Sequence, residues 1–305
     1  MMRNNNLTHE RKSPYGIRIH KDGSIFDLFS STFVRDIKIH FSSVFSTSFN
    51  SHGFYTVDSP DERLKELLSF EDHWFLEYDL DKILSSIMHN LIFANKTFVE
   101  IAFSKNETNE IAGISIIPFD AIKMISSKRY SWFLSYHEAN RKLAIFKIDK
   151  NKYIEIGTKE LGLRNNALKR ITKKLKRLDI TSYSIFINDE MGNKVPFDDY
   201  KRKQEYLMLK YPKEIGWVSG IDNAYLNESY SLFRLVKLRE FQLKCLLLFI
   251  EKINFGLNNV SEITKVTGTI KTTVQFPEYT KEWGRYQNGE ISTKELTDII
   301  FPKYK

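Results

Sequence analysis

The chain has 305 residues, with 46 Lys or Arg against 38 Asp or Glu and a formal net charge of +8; its pI is near 9.2. Apolar content of 42% and aromatic content of 14% exclude a disordered chain, and a single cysteine excludes a disulfide framework, a thiolate zinc site and a CxxC redox centre. The longest clean apolar run, 245–250, falls far below the roughly 18–20 residues needed to cross a bilayer, and MMRNNNLTHERKSPYG lacks the apolar stretch of a secretory signal. These features predict a soluble globular protein.

Residues 1–24 are polar, with the Ser13-Pro14 breaker, and read as a flexible arm. Residues 25–57 are rich in Phe, Val, Ile, Ser and Thr, which fits helix and strand equally. A helix is expected after Ser59-Pro60, with Asp61 and Glu62 at its positive end. Asp79 then reads as the N-cap of a clearer helix. In it Leu80, Ile83, Leu84, Ile87, Met88, Leu91 and Ile92 form one apolar stripe. Burying that stripe contributes roughly 10–20 kcal/mol gross, at about 1.5–3 per side chain.

TFVEIAF (97–103) and IAGISII (111–117) read as a β-hairpin that Pro118 ends. AIKMI, WFLSY, KLAIFKI and KYIEI continue it, so 97–157 is expected to be an antiparallel meander. The period turns helical at 164–178, where Leu168, Ile171, Leu175 and Leu178 face one way. Arg164, Lys169, Arg170, Lys173, Lys174, Lys176 and Arg177 occupy the remaining surface. YSIFI (183–187) reads as a strand, 190–196 as a turn and 197–210 as a polar helix with Lys201, Arg202, Lys203 and Lys210. A long helix spans about 226–255, with Gly256 as its stop. It is apolar on all sides at 245–250, so more than one partner must cover it. A strand-like 263–276 and a short helix capped by Ser292 with Glu295 at N3 close the chain. The expected fold class is α+β: an antiparallel meander flanked by helices, with one long helix in the C-terminal half. Its divisions are an arm at 1–24, an α+β core at 25–222, the long helix at 223–258 and a strand–helix segment at 259–305.

Charge is segregated. Residues 150–177 hold ten bases and two acids, Glu155 and Glu160, whereas 58–81 hold nine acids and two bases. This layout suits binding a polyanion on one face, packing copies through unlike faces, or two solvated elements that pair with each other. Five or six phosphate contacts from the basic helix would give a log–log salt slope of about −5 on B-DNA. No recognition motif accompanies it, so the contact would be to the backbone rather than to bases.

No phosphate-cradling Gly-rich loop, HExxH or GxSxG is present, and Cys245 lies inside a predicted helix as a buried thiol. Two weaker patterns point to nuclease chemistry. Arg35 and His40 form an R-x4-H pair, like that of dimeric HEPN-type RNases, in which His does acid–base work and Arg holds phosphate. Asp27 followed by Asp36 and Lys38 mimics the carboxylates and lysine of a restriction-type nuclease.

The stretch 61–125 resembles the central region of tailed-phage portal proteins. RLKELL (63–68) and LDKILSSIMHNLIF (80–93) supply two helices, followed by KTFVEIAF (96–103), a polar loop and IAGISIIPFDAIKMI (111–125). Portal proteins show a helix, a strand like Gly-Asn-Ala-Tyr-Val-Glu, a hairpin and a Leu-hydrophobic-Pro turn. Here Ala94, Asn95, Thr97, Phe98, Val99 and Glu100 occupy the strand motif and Ile117-Pro118 the turn, with Ala94 where Gly is usual. RYQNGEISTKELTDII (285–300) is similar to a portal segment in which a Gly-Ile/Glu-Ile-Ser/Thr turn opens a late helix. The resemblance implies a homo-oligomeric ring at a capsid vertex that conducts or holds DNA during genome packaging and ejection. It also implies no catalytic centre and no cofactor, terminase and capsid proteins as partners, no membrane, and a place in the virion or the bacterial host cytoplasm. The competing expectation is a cytoplasmic nucleic-acid-binding accessory or phage-defence protein.

Overall fold

The computed structural model describes residues 11–12, 18–19, 28–38, 40–45, 53–60, 62–68, 76–136, 143–189, 197–218 and 227–302. Most of the expected arm, Asp27 and the 190–196 turn lie outside the described residues. The first described element is a two-residue ladder, β1 (Arg11–Lys12) against β2 (Arg18–Ile19). Residues 25–57, which periodicity leaves open, yield α1 (Leu28–Ile37), α2 (Phe41–Phe45) and the start of β3 (Tyr55–Asp58). The start of α1 is capped from a distance: Asp179 accepts from Phe29 N at 2.7 Å, Ser30 N at 3.1 Å and Ser30 Oγ at 2.8 Å. Asp81 does the same for α2, accepting from Ser42 N at 3.2 Å and from the Tyr55 hydroxyl at 2.7 Å. Carboxylates at helix N-termini satisfy orphan N–H groups and oppose the helix dipole.

The helix after Pro60 is the short α3 (Arg63–Leu67). The next, α4 (Leu76–Ala94), begins ahead of the expected Asp79, so Asp79 sits inside its first turn rather than at the cap. All seven residues of its apolar stripe are buried. It stops at Asn95, whose φ of 68° is left-handed and whose N–H returns to Leu91 O at 3.2 Å.

Strands β4 (Lys96–Lys105) and β5 (Ile111–Phe119) form the expected hairpin, with Phe98 opposite Phe119. Pro118 does not end β5; it lies within the ladder opposite Val99. Because β5 is an edge strand, the missing N–H breaks no second ladder. The remaining strands are β6 (Lys123–Ser126), β7 (Tyr130–Tyr136), β8 (Leu143–Asp149) and β9 (Tyr153–Gly157). All their pairings are antiparallel, but the meander is divided: β9 leaves β8 and pairs with β4, giving sheets ordered β5-β4-β9 and β6-β7-β8. Burial explains the jump. Val99 and Ile101 on β4 and Ile154 and Ile156 on β9 join the main core, whereas Phe98 faces the second sheet with Phe133 and Ile148. Between the sheets, Phe133 meets Phe98 at 5.0 Å, Phe119 at 5.1 Å and Tyr153 at 5.1 Å between ring centroids. Such edge-to-face contacts favour one fixed packing.

The basic helix α5 (Ala167–Asp189) is longer than expected and begins later. Residues 183–187, read as a strand from sequence, are its last turns. A five-residue aromatic and β-branched run cannot be assigned by period alone, and the helical period that precedes it carries on through. The polar helix α6 (Phe197–Lys210) falls on its expected range. The long helix α7 runs Glu228–Thr264, capped by the Asn227 side chain, which accepts from Tyr230 N at 2.7 Å. At 37 residues it is about 55 Å long, at 1.5 Å per residue.

Gly256 does not stop α7; the left-handed Lys265 does. Gly256 is buried where the helix crosses β4 and β9: a Cβ there would sit 3.1 Å from Ile101 Cγ1 and 3.4 Å from Ile154 Cγ2. A side chain there would push Ile101 back by a few tenths of an ångström, so glycine suits the close approach. Strand β10 (Thr269–Thr272) pairs with β3, and α8 (Tyr279–Gln287), which the sequence reading lacks, precedes α9 (Thr293–Ile300). The expected capping box is present in α9, with Ser292 N donating to Glu295 Oε2 at 2.7 Å.

Candidate polyanion-binding face

The apolar side of α5 (Ala167, Leu168, Ile171, Leu175 and Leu178) is buried against α1 and α4. That orientation turns its cations outward. Arg164, Lys169, Arg170, Lys173, Lys174 and Arg177 are exposed, and Lys176 is half-buried. Arg164 stands just ahead of the helix rather than on it. Among the described residues, the side chains of Arg164, Lys169, Arg170 and Lys173 make no hydrogen bond or ion pair. Lys174 lies over the Tyr211 ring, 4.9 Å from its centroid.

The N-terminal end of α5 is fixed by one side chain. Asn95 Nδ2 donates to Asn165 Oδ1 at 2.7 Å, and Asn95 Oδ1 accepts from Asn166 N at 2.7 Å and from the Thr158 hydroxyl. Thr158 N donates to Asn95 O at 3.2 Å. Asn95 therefore ties the α4–β4 turn to the turn that launches the basic helix. Thr97 donates to Phe119 O at 3.2 Å and accepts from Asn90 Nδ2 at 3.1 Å. Burial pushes the Glu100 carboxyl above its ordinary range, and the Lys152 charge partly opposes this.

Electrostatically, α5 is arranged against its own stability. Its first turn holds no acid, and Arg164, Lys169 and Arg170 stand at the end where the helix dipole is already positive. Acids are the stabilising choice at that end, by about 0.3–1 kcal/mol each. Concentrating cations there raises the local potential and suits an anionic ligand. The acids of 58–81 are partly committed elsewhere: Asp58 pairs with Lys271 at 2.5 Å, and Asp81 is buried at the start of α2.

The sequence reading does not place α6 beside this face. Gln204 Nε2 donates to Leu178 O at 3.5 Å, and Tyr211, just past α6, carries Lys174. Arg202, Lys203 and Lys210 of α6 are exposed too, on a helix that adjoins α5 through Gln204 and Tyr211. A charge count along the chain shows the cations of α6, but only the tertiary contact shows their neighbour.

Of the nuclease-like residues, Arg35, Asp36 and His40 make side-chain contacts, and Lys38 makes one through its backbone. The Arg35 side chain is exposed and pairs with the adjacent Asp36 at 3.3 Å. Asp36 Oδ2 also accepts from Trp217 Nε1 at 3.0 Å, and Lys38 O accepts from the Ser85 hydroxyl at 2.9 Å. His40 Nδ1 stands 3.7 Å from Asp81 Oδ2, a carboxylate already holding α2. Among the described residues, no group of three or more His, Cys, Asp or Glu is placed to hold a metal ion. Cys245 is buried, and burial pushes its thiol well above the ordinary range. No described helix is long and apolar enough to cross a membrane. No protein-family model matches the chain, and no curated protein matches it either.

Proposed function

We propose that the chain is a structural, portal-like protein that associates into a ring and holds DNA by its backbone, without a catalytic centre of its own. The observation that carries this reading is the exposed set Arg164, Lys169, Arg170 and Lys173 at and near the positive end of α5, whose side chains make no ion pair among the described residues. Cations without recognition geometry bind phosphates irrespective of sequence. Two further features support it. The residues that resemble the portal strand motif form a helix–strand turn centred on Asn95, and that turn positions the basic helix. The long α7 keeps Leu247 and Phe255 exposed, as a helix between neighbours would. Terminase and capsid proteins follow as partners, and the virion or host cytoplasm as location, only if the portal reading holds.

The test is a DNA titration of the wild type against a variant with Lys169, Arg170, Lys173 and Lys174 changed to Glu. The variant is expected to lose nearly all affinity on random-sequence duplexes of equal length, and unchanged affinity would refute the reading. A wild type that cleaves DNA or RNA, with the activity lost in His40→Ala or Lys38→Ala, would replace it with the nuclease reading. Retained DNA affinity in a strictly monomeric protein would favour the accessory-protein reading.

A further inference from the structure

The β6-β7-β8 sheet is apolar on both faces. Its inner face, with Phe133, Phe146 and Ile148, packs on the first sheet. On the outer face the register aligns Ile125, Trp132 and Lys147 in one row and Lys123, Leu134 and Ile145 in the next, with Leu143 beyond. Ile145 is 71% exposed, Ile125 and Leu143 are each 58% and Trp132 is 45%. A three-stranded sheet normally buries such a face against another layer.

Helix α7 carries a complementary surface. Leu247, Glu251, Phe255, Asn258 and Glu262 recur at helical spacing and are all exposed. They make a stripe of two apolar, two acidic and one amide side chain about 22 Å long, at 1.5 Å per residue. Glu251 and Glu262 make no ion pair among the described residues. The sheet face carries two cations, Lys123 and Lys147, and the stripe two acids, so the two surfaces are opposite in charge. Its three strands span about 10 Å from first to last, which matches the diameter of one helix.

The two surfaces cannot meet within one molecule. The opposite side of α7, at Gly256, lies on Ile101 and Ile154 of the first sheet. The other face of that sheet holds Phe98 against Phe133. The order is therefore α7, first sheet, second sheet, with the stripe and the exposed sheet face outermost and pointing apart.

We propose that the outer face of the β6-β7-β8 sheet docks onto the exposed α7 stripe of a second copy of this chain. This rests on the self-association in the reading above and names the two surfaces that make it. The contact is heterologous, so it propagates head to tail and closes where the rotation per copy allows. Single-stranded nucleic acid fits the sheet less well. Lys147 Nζ already covers the Tyr130 ring at 3.5 Å, and Ile125, Leu143 and Ile145 offer no π-face for a base.

Light scattering on the full chain over a concentration series tests the contact. Wild type is expected to exceed the 36.0 kDa monomer mass. Ile145→Asp and Phe255→Asp change exposed side chains, and each is expected to weaken association by at least about tenfold. Each variant retains the surface the other lacks, so an equimolar mixture is expected to form a dimer and go no further. A second pair guards against misfolding of those variants. Lys123→Glu with Lys147→Glu, and separately Glu251→Lys with Glu262→Lys, are expected to dissociate the assembly, and combining all four in one chain to restore it. A wild type that stays monomeric, a mixture that stays monomeric, or dissociation by only one of the two surfaces would overturn the proposal. So would a monomer whose oligonucleotide binding is lost in Trp132→Ala. None of these residues lies on α5, so failure here leaves DNA affinity intact, and failure of the DNA reading leaves the mixed dimer intact.

Discussion

Arg234 is fully buried in α7, and none of the ion pairs among the described residues includes it. Its guanidinium is held by backbone carbonyls instead: Nε donates to Gly216 O at 3.2 Å, Nη1 to Leu209 O at 3.0 Å and Nη2 to Trp217 O at 2.6 Å. Nη1 also donates to the Tyr230 hydroxyl at 3.2 Å. These bonds fasten the turn after α6 onto α7 and seat Trp217 against Phe33, with ring centroids 5.3 Å apart. Replacing Arg234 with Met keeps most of the volume but orphans three carbonyls. Each orphan costs about 1–3 kcal/mol, and recovery of the desolvation penalty of the charge offsets part of the sum. The expected net loss is about 3 kcal/mol. Arg234→Lys keeps the charge but cannot reach three carbonyls from one nitrogen, so it is expected to lose a similar amount. The assay is urea unfolding followed by Trp fluorescence. With a slope near 3 kcal/mol per molar, the midpoint falls by about 1 M. A Met variant as stable as wild type would show that Arg234 is a tolerated charge and that the carbonyl fork is not what holds the turn.

Asn95 supplies both a left-handed backbone and side-chain bonds to the start of α5. Asn95→Gly keeps the first and loses the second, whereas Asn95→Ala loses both. Unfolding midpoints are therefore expected in the order wild type, Gly, Ala, with Ala destabilised by about 2–3 kcal/mol. A Gly variant less stable than Ala would contradict the assignment. Burial, reinforced by the Lys38 charge, pushes His89 down from 6.5 to about 4. The unfolded chain binds that proton more readily than the folded one. The stability this contributes is complete above about pH 6.5 and disappears progressively as pH falls to about 4. His89→Gln is expected to flatten the decline in thermal midpoint across that window; an unchanged decline would show that other groups cause it.

What was legible in the sequence depended on whether the determining contacts are local. The stripe of α4, the β4–β5 hairpin and the Ser292–Glu295 box are all set by residues a few positions apart, and the structure contains each of them. Residues 25–57 are ambiguous by period because the caps of α1 and α2 come from Asp179 and Asp81, far along the chain. Gly256 reads as a helix stop in isolation. It is a crossing point because Ile101 and Ile154 approach it, which no local pattern records. The return of β9 to β4 is hidden in the same way. Adjacent strands predict a meander, and only the demand of β4 for partners on both edges separates β9 from β8. Of the candidate face, the basic residues of α5 are visible as a charge run. The adjacency of α6 and the anchoring role of Asn95 are not, because both are long-range contacts.

The central claim is that the cations of α5 neutralise phosphates. The salt dependence of binding to a duplex of mixed sequence measures this most directly. Wild type is expected to give a log–log slope of about −5, and a variant with Lys169, Arg170, Lys173 and Lys174 changed to Gln a slope of about −1.4, because each neutralised phosphate accounts for about 0.9 of the slope. A slope that is the same in both proteins would place the interaction elsewhere on the molecule and contradict the account.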